Sequence, residues 1–534
     1  MKRTSEPRLA CWGLMLLVFA TVAVAANQPP SAGLGAPPSD AVFGIGDNIE
    51  LRASGFDPEG ALTKIEFYID GSLIGEDFVP PYSMWLSNVA AGVYSYYVVA
   101  VDDAFARGTS VVSRITVTNL SPRSLNWSPA TPIYTSFEWN STSLNWVAGF
   151  TRTVFHTGDS VTIGFGVPNF FIGIDGVPMP VSPASTVLRG AGGISGGDIL
   201  TGGLTVDSGR IIFSNYTSSL SFPGGTLIHG PDLTFDVSAA SPGATLHFGV
   251  GPITNIAATF TFQTGDAGAT LENDFVIPSV TPINNRIVIN PISRPQAVVR
   301  FSGALQLGGD LSLQTLGEAS ATPLPLHVWS GSIVLDQSGL RFPSLSVSAN
   351  GYAKGFTISG NISDGPGDAT NGLQLYANYA PVRLTGANTY AHGTRIGGQS
   401  YPYGIEVAPE SSLGTGDLEA YGSLTLLGSH NLASNANVSL FSGRAYLGRG
   451  VKIRLNSLKL GNALYTNGLF AGTNLIYNNY LASNGSFRLP PVNFNPTVAI
   501  TTRSAAQRSS LAIASSLAQR LQTSTATSPK SSFG

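Results

Sequence analysis

Cysteine is nearly absent from this chain of 534 residues: the single Cys11 lies before an apolar run at the N-terminus. Nothing beyond that run can therefore form a disulfide or a thiolate metal site, and stability must come from strand pairing and burial. Charge is equally scarce, since Asp, Glu, Lys and Arg account for 11% of residues, against about 25% in ordinary soluble domains. The 28 basic and 31 acidic residues nearly cancel, to a net charge of −3. No electrostatic footprint for nucleic acid results, and nucleic acid is excluded as a partner. Histidine is limited to six residues, and no segment after the N-terminal apolar run is long and apolar enough to span a membrane.

What is abundant points to strands. The chain holds 62 Gly, 34 Pro, 27 Phe and 18 Tyr, which suits many short strands joined by tight turns and argues against a helical bundle. Its length exceeds what a single core supports, so several domains are expected. At the N-terminus Lys2, Arg3 and Arg8 precede WGLMLLVFATVAVA, and Ala23-Val24-Ala25 or Val24-Ala25-Ala26 offers small residues for cleavage before Asn27. Residues 1–26 read as a secretory signal peptide. An uncleaved anchor is the alternative, although the run is shorter than the ~20 residues a spanning helix needs. Cys11 precedes the apolar run, so it is not the lipid-bearing cysteine of a lipoprotein signal.

After a Pro-rich stretch, QPPSAGLGAPPS at 28–39, the runs IELRASGFDPEG, LTKIEFYIDGSLIGEDF, PPYSMWLSNV, GVYSYYVVAVDDAFA and SVVSRITVTN alternate apolar and polar residues between Gly and Pro breaks. Such spacing predicts an antiparallel sandwich over 27–119, with Ile65, Phe67 and Ile69 facing inward and Lys64, Glu66 and Asp70 turned the other way. The order DPEG, KIEFYIDGSLIG, PPYSMW, AGVYSYYVVAVDD resembles the bacterial Ig-like domains of secreted proteins.

Texture changes after Leu120. Residues 120–185 carry Trp127, Trp139 and Trp146 and lead through Gly158-Asp159-Ser160-Val161 into VTIGFG; from 186 to 490 short alternating runs recur around a Gly beside a small polar residue. Gly303, Gly360 and Gly386, each in such a run, are unevenly spaced. That irregularity favours a solenoid with insertions over a propeller of equal blades. RLTGANTYAHGTRI at 383–396, followed by SSLGTGDLEAYGSLTLLG, resembles the autotransporter-associated β-strand repeat through Leu384, Gly386, Asn388, Thr389, Tyr390, Gly393, Thr394 and Ile396, with His392 where that pattern has Gly. The Trp139–Trp146 stretch with Gly158-Asp159 is similar to the leader before such repeats. This resemblance implies a right-handed parallel β-helix, so the expected fold class is all-β: an Ig-like β-sandwich followed by a β-solenoid. Coils of 20–29 residues would number roughly fifteen and stack to about 70 Å, with amide ladders at positions like Asn388. The Ser/Thr-rich tail, 491–534, reads as disordered and cannot supply the strands of an outer-membrane barrel.

Chemistry-bearing patterns are sparse. Gly193-Ile194-Ser195-Gly196-Gly197 formally matches a nucleophile elbow, but strand and Gly flank it where a helix is required. The same GGISGGDIL approaches a calcium nonapeptide out of register. His156, His229, His247, His327, His392 and His430 are scattered without metal-ligand spacing. Asp57, Glu59, Asp102 and Asp103 could gather oxygen ligands for calcium or simply form turns. Asp364 and Asp368 are the nearest thing to a paired carboxylate of a glycosidase. Tyr376, Tyr379, Tyr401 and Tyr403 could stack on sugar rings or serve as ladder residues. No catalytic, cofactor-binding or metal residue is assigned, and no cofactor is implied. The expectation is a secreted or cell-surface bacterial protein for adhesion or surface display, not an enzyme, without a membrane span after signal cleavage, its partner an extracellular polysaccharide or surface protein. An extracellular carbohydrate-active protein, whether polysaccharide binder, β-helix glycosidase or lyase, is the alternative; a ligand-free spacer is a third reading.

Overall fold

The fold is that of a computed structural model, which describes residues 27–488 except 129–136, 140–143, 174–180, 196–198, 200–201, 215–219, 221, 231, 242, 266–267, 280–284, 292–297, 317–325, 337–342, 350–354, 366–371, 379–380, 399–403, 443, 468, 472–480 and 484–485. The signal peptide expected over 1–26 and the tail expected over 491–534 lie outside the described residues. All described regular structure is β, and no described helix is long and apolar enough to cross a membrane. The chain forms two compact units: one drawn from residues up to Thr118, the other from Asn119 onward together with Phe43–Asn48 and Ser87–Val89.

The first unit is an antiparallel sandwich. One sheet joins Ser31–Ala36, Ile49–Phe56 and Ser83–Leu86; the other centres on Leu62–Ile69 and Gly92–Asp102, flanked by Ser72–Asp77 and Ser113–Thr118. Period-2 alternation places Ile49, Leu51, Ile65, Phe67, Tyr96, Val98, Ile115 and Val117 in the core. Glu66 departs from the expected pattern. It is buried rather than turned to water, because Arg107, Lys64 and the Tyr68 hydroxyl converge on its carboxylate.

The second unit is a parallel β-solenoid, and three ladders run along it. The first passes through Leu204, Thr226, Ile253, Phe275, Leu305, Ile333 and Ile362. The third stacks Leu246, Leu271, Phe301, Trp329, Ile358, Leu384, Val407, Leu426 and Leu447, all buried. The second is the longest: thirteen described strands from Ser160–Gly173 to Ser457–Leu460, which at ~4.8 Å per rung stack to roughly 60 Å. Within the segment 120–185, Ser124–Trp127 enters this same sheet, pairing in parallel with Ser160–Gly173.

Coil length varies along the stack. Gly192 pairs with Ile211 across a short coil, whereas Leu313 pairs with Val347 across one longer than the repeat lengths suggested. The middle coils enclose a stack of rings, Phe213, Phe248, Phe260, Phe275, Phe301 and Trp329, with neighbouring centroids 5.0–6.2 Å apart. Toward the C-terminus the second ladder carries Leu375, Ile396, Ala420, Leu440 and Leu460, and its last two intervals, Ala420 to Leu440 and Leu440 to Leu460, are short and equal. There the described second ladder is lined by aliphatic side chains.

The first ladder ends at Ile362–Asp364, and the Asn388 segment replaces it. Asn388 Oδ1 accepts from the Ile362 N–H at 2.9 Å, Thr389 N–H donates to Ile362 O at 2.8 Å, and Asn388 Nδ2 donates to Ser412 O at 2.7 Å. The expected amide ladder is therefore not what Asn388 forms: its side chain bonds backbone of the coil on either side, where a strand would otherwise do so. Tyr390 is fully buried and hydrogen-bonded to Thr394 Oγ1 at 2.6 Å. His392 takes φ 63° beside Gly393 at φ 92°, so the turn holds a left-handed non-Gly residue where the repeat pattern has Gly.

Candidate functional site

The feature best suited to ligand contact lies on the outer face of the second ladder, where its strands are short and the interior aliphatic. Alternate residues along these strands point inward; their neighbours form columns on the surface. One column runs Ser344, Gln374, Arg395, Glu419, Ser439, Lys459 in register. The adjacent column holds Ser346, Tyr376 and Gly397, then Tyr421 and Phe441. Tyr421 is positioned by its N–H, which donates to Ile396 O at 2.8 Å.

Gly397 makes the site. A Cβ there would clash with the Tyr376 ring, so the ring lies across the glycine and leaves a step before Tyr421. The result is an open groove of about 420 Å³ lined by Gln374, Tyr376, Arg395, Gly397 and Tyr421. Gln374 Nε2 donates to the Tyr376 hydroxyl, and Arg395 Nε pairs with Glu419 at 2.9 Å. Tyr421 stacks on Phe441 with centroids 4.7 Å apart and planes 10° from parallel, and Lys459 Nζ stands 5.3 Å from the Phe441 centroid. The groove thus presents ring faces flanked by a planar guanidinium and an amide. Ring faces suit the apolar face of a sugar, and the flanking donors suit its hydroxyls or carboxylate.

The structure disperses the other sequence candidates. Ser195 ends the strand Ser185–Ser195, paired in parallel with Ser214, and Gly196-Gly197 lie outside the described residues. Asp364 Oδ2 accepts from Ala391 N–H at 2.8 Å and so fixes the next coil; Asp368 falls outside the described residues. Tyr376 joins the groove, whereas Tyr379, Tyr401 and Tyr403 fall outside the described residues. His156 meets Asp47 at 2.5 Å within the second compact unit, His247 meets Glu272 at 3.1 Å, and exposed His229 stands 4.0 Å from Asp207. His430 is exposed, His392 occupies its turn, and His327 is buried with burial lowering its pKa to about 4. No group of three or more His, Cys, Asp or Glu residues gathers to hold a metal among the described residues. Gln374, Arg395, Gly397 and Tyr421 were not singled out from sequence. The step from Tyr376 to Gly397 is shorter than the following one, from Ile396 to Ala420, so no fixed period reveals the column.

A family model described as bacterial Ig domain matches residues 30–98, which lie within the sandwich. No curated protein matches the chain. Among solved structures the chain is similar to fibronectin(III)-like modules of Clostridium thermocellum CbhA, with 26% identity, 17% of this chain and 46% of that chain covered, and a TM-score of 0.15. It is similar to the endo-beta-1,4-mannanase of Thermotoga petrophila at 14% identity, over 17% of this chain and 20% of that chain, TM-score 0.15. A third likeness, at 14% identity and TM-score 0.13, is to pectate lyase PelI of Erwinia chrysanthemi, covering 86% of this chain and 100% of that chain. The chain thus spans about half of the first and a fifth of the second.

Proposed function

We propose that this chain is a secreted, surface-displayed bacterial β-solenoid protein that acts in adhesion, with coils of the autotransporter-associated kind and without catalysis, and that its partner is an extracellular polysaccharide held along the outer face of the second ladder. The groove of Tyr376, Gly397 and Tyr421 carries this reading. Its ring faces, guanidinium and amide are what sugar binding requires, and its lining lacks the facing carboxylate pair that glycoside hydrolysis uses. The basic segment and apolar run before Asn27 support export, and the bacterial Ig domain accords with a place at or beyond the cell surface.

The test is retention of the purified protein in native gels cast with neutral and acidic polysaccharides, followed by titration with the one that retards it. Tyr376→Ala and Tyr421→Ala should each weaken binding about tenfold, since losing one stacked ring is worth on the order of 1 kcal/mol, with the circular dichroism spectrum unchanged. Absence of retardation by any polysaccharide, or binding by both variants as tight as that of wild type, would sink the proposal. Shortening of the polysaccharide during incubation would favour the hydrolase or lyase instead.

A further inference from the structure

The acidic residues of the sandwich are not all explained by turn formation. The loop after Ile49–Phe56 and the turn after Gly92–Asp102 meet at one sheet end, where Leu62 stands opposite Asp102. Together they carry Asp57, Glu59, Asp102 and Asp103. Asp102 is fully engaged: Oδ1 accepts from the Ala104 and Ala106 N–H groups at 3.0 and 2.7 Å, and Oδ2 from the Asn27 amide at 2.8 Å. Glu59 Oε1 accepts from the Gln28 N–H.

Asp57 is different. It is only 7% exposed, and neither carboxylate oxygen has a hydrogen-bond partner among the described residues. A carboxylate taken out of water without a donor is strongly unfavourable, and such groups are paired or bind a metal. Gly60 shows where the charge is aimed: a Cβ at that position would stand 2.7 Å from Asp57 Oδ2 and 3.1 Å from Asp103 Oδ1. Two carboxylate oxygens from different loops therefore face one small gap, which stays open because residue 60 has no side chain.

We propose that this gap is a calcium site, with Asp57 and Asp103 as the charged ligands. Calcium accepts six to eight oxygens in flexible geometry, whereas magnesium demands a near-ideal octahedron that two loops of unequal exposure do not offer. Because no third carboxylate among the described residues converges on the point, water completes the shell, and the affinity falls in the range of weak extracellular modules, Kd roughly 10⁻⁴–10⁻³ M. Binding ties the two loops together at one end of the sandwich.

The experiment is calcium titration of the whole chain by calorimetry, paired with hydrogen exchange read by mass spectrometry over peptides containing residues 57–62 and 103–109, in excess CaCl₂, MgCl₂ or EDTA. Wild type should show one binding event and slowed exchange in both peptides with calcium and not with magnesium. Asp103→Asn should weaken binding at least tenfold. Asp57→Asn should abolish binding, yet in EDTA it should exchange more slowly than wild type, because the uncompensated buried charge is gone. That reversal distinguishes a ligand from a structural carboxylate. An absence of calcium heat in wild type, undiminished binding in both variants, or faster exchange of Asp57→Asn in EDTA would each overturn the assignment.

Discussion

At the residue scale, His327 links the interior of the solenoid to pH. Its Nδ1 accepts weakly from Val299 N–H at 3.4 Å, its Nε2 has no partner among the described residues, and burial lowers its pKa to about 4. The unfolded imidazole titrates near 6.5. Above that value both states are neutral and the fold keeps its full stability. As pH falls from about 6.5 to 4 the unfolded chain takes up a proton that the folded chain refuses, so stability drops by an amount on the order of 3 kcal/mol. Denaturant titrations at pH 7 and pH 4 should therefore show His327→Leu losing less stability than wild type across this window; parallel losses would mean that the imidazole is not held neutral. A sequence search for metal ligands treats all six histidines alike. What separates His327 from the exposed His229 or His430 is its place opposite Phe356 inside a coil, which depends on a register no local pattern encodes.

At the scale of the element, the corners of the third ladder follow one rule. Phe301-Ser302-Gly303, Trp329-Ser330-Gly331, Ile358-Ser359-Gly360 and Leu384-Thr385-Gly386 stack, each placing a large inward residue two positions before a glycine. A Cβ on Gly331 would fall inside the van der Waals shell of Gly303 O, and one on Gly360 would do the same to Gly331 O. Close approach, not a left-handed backbone, requires glycine here. Gly331→Ala should accordingly cost about 1–3 kcal/mol, as overpacking does, whereas Gly164→Ala, with nothing within 4 Å of its Cβ, should be close to neutral in the same denaturant titration. Equal effects would refute the steric account. The wide interval between Gly303 and Gly360 looks irregular only until Gly331 is recognised as the member between them. The repeat was legible at Gly386, where Asn388, Tyr390 and Gly393 follow it; at Gly331 the flanking residues are Ser, and the signal is too short to stand out. The groove was less legible still. Tyr376 is recognisable as an exposed-type aromatic, but its partnership with Gly397, Tyr421 and Arg395 exists only once coil lengths are fixed.

At the scale of the whole molecule, a stack of parallel coils has two open ends, each a row of unpaired backbone groups that another chain could extend. Along the second ladder both ends turn antiparallel, while the third ladder runs on in parallel from Ala445–Leu447 to Leu481–Ser483. Ser124–Trp127 pairs with Trp146–Ala148, which folds back on Thr151–Thr153, while Ser457–Leu460 pairs with Ala463–Tyr465. Such hairpins interrupt the parallel register and protect the edge. Leu464→Pro in the full chain, opposite Lys459 in this hairpin, should loosen it and promote self-association as concentration rises, measured by light scattering on a sizing column; a variant that stays monomeric would show that this hairpin is not what protects the edge. The sandwich, the all-β character and the coiled repeat follow from Gly content and period-2 alternation and are readable in the sequence. The antiparallel ends are not, because Ala463-Leu464-Tyr465 looks like any other short strand.

The distribution of tryptophan has a further consequence. Trp127, Trp139 and Trp146 cluster at the first coils, with Trp146 centroids 4.9 and 5.3 Å from the other two; Trp329 sits mid-stack on Phe301, and no tryptophan follows residue 329. The solenoid is therefore optically asymmetric along its length. Coils that open from the C-terminal side do so without an indole signal until melting reaches Phe301 and Trp329, while opening from the other side is reported at once. Comparing indole emission with far-ultraviolet dichroism during heating would thus read out the direction in which the solenoid unwinds.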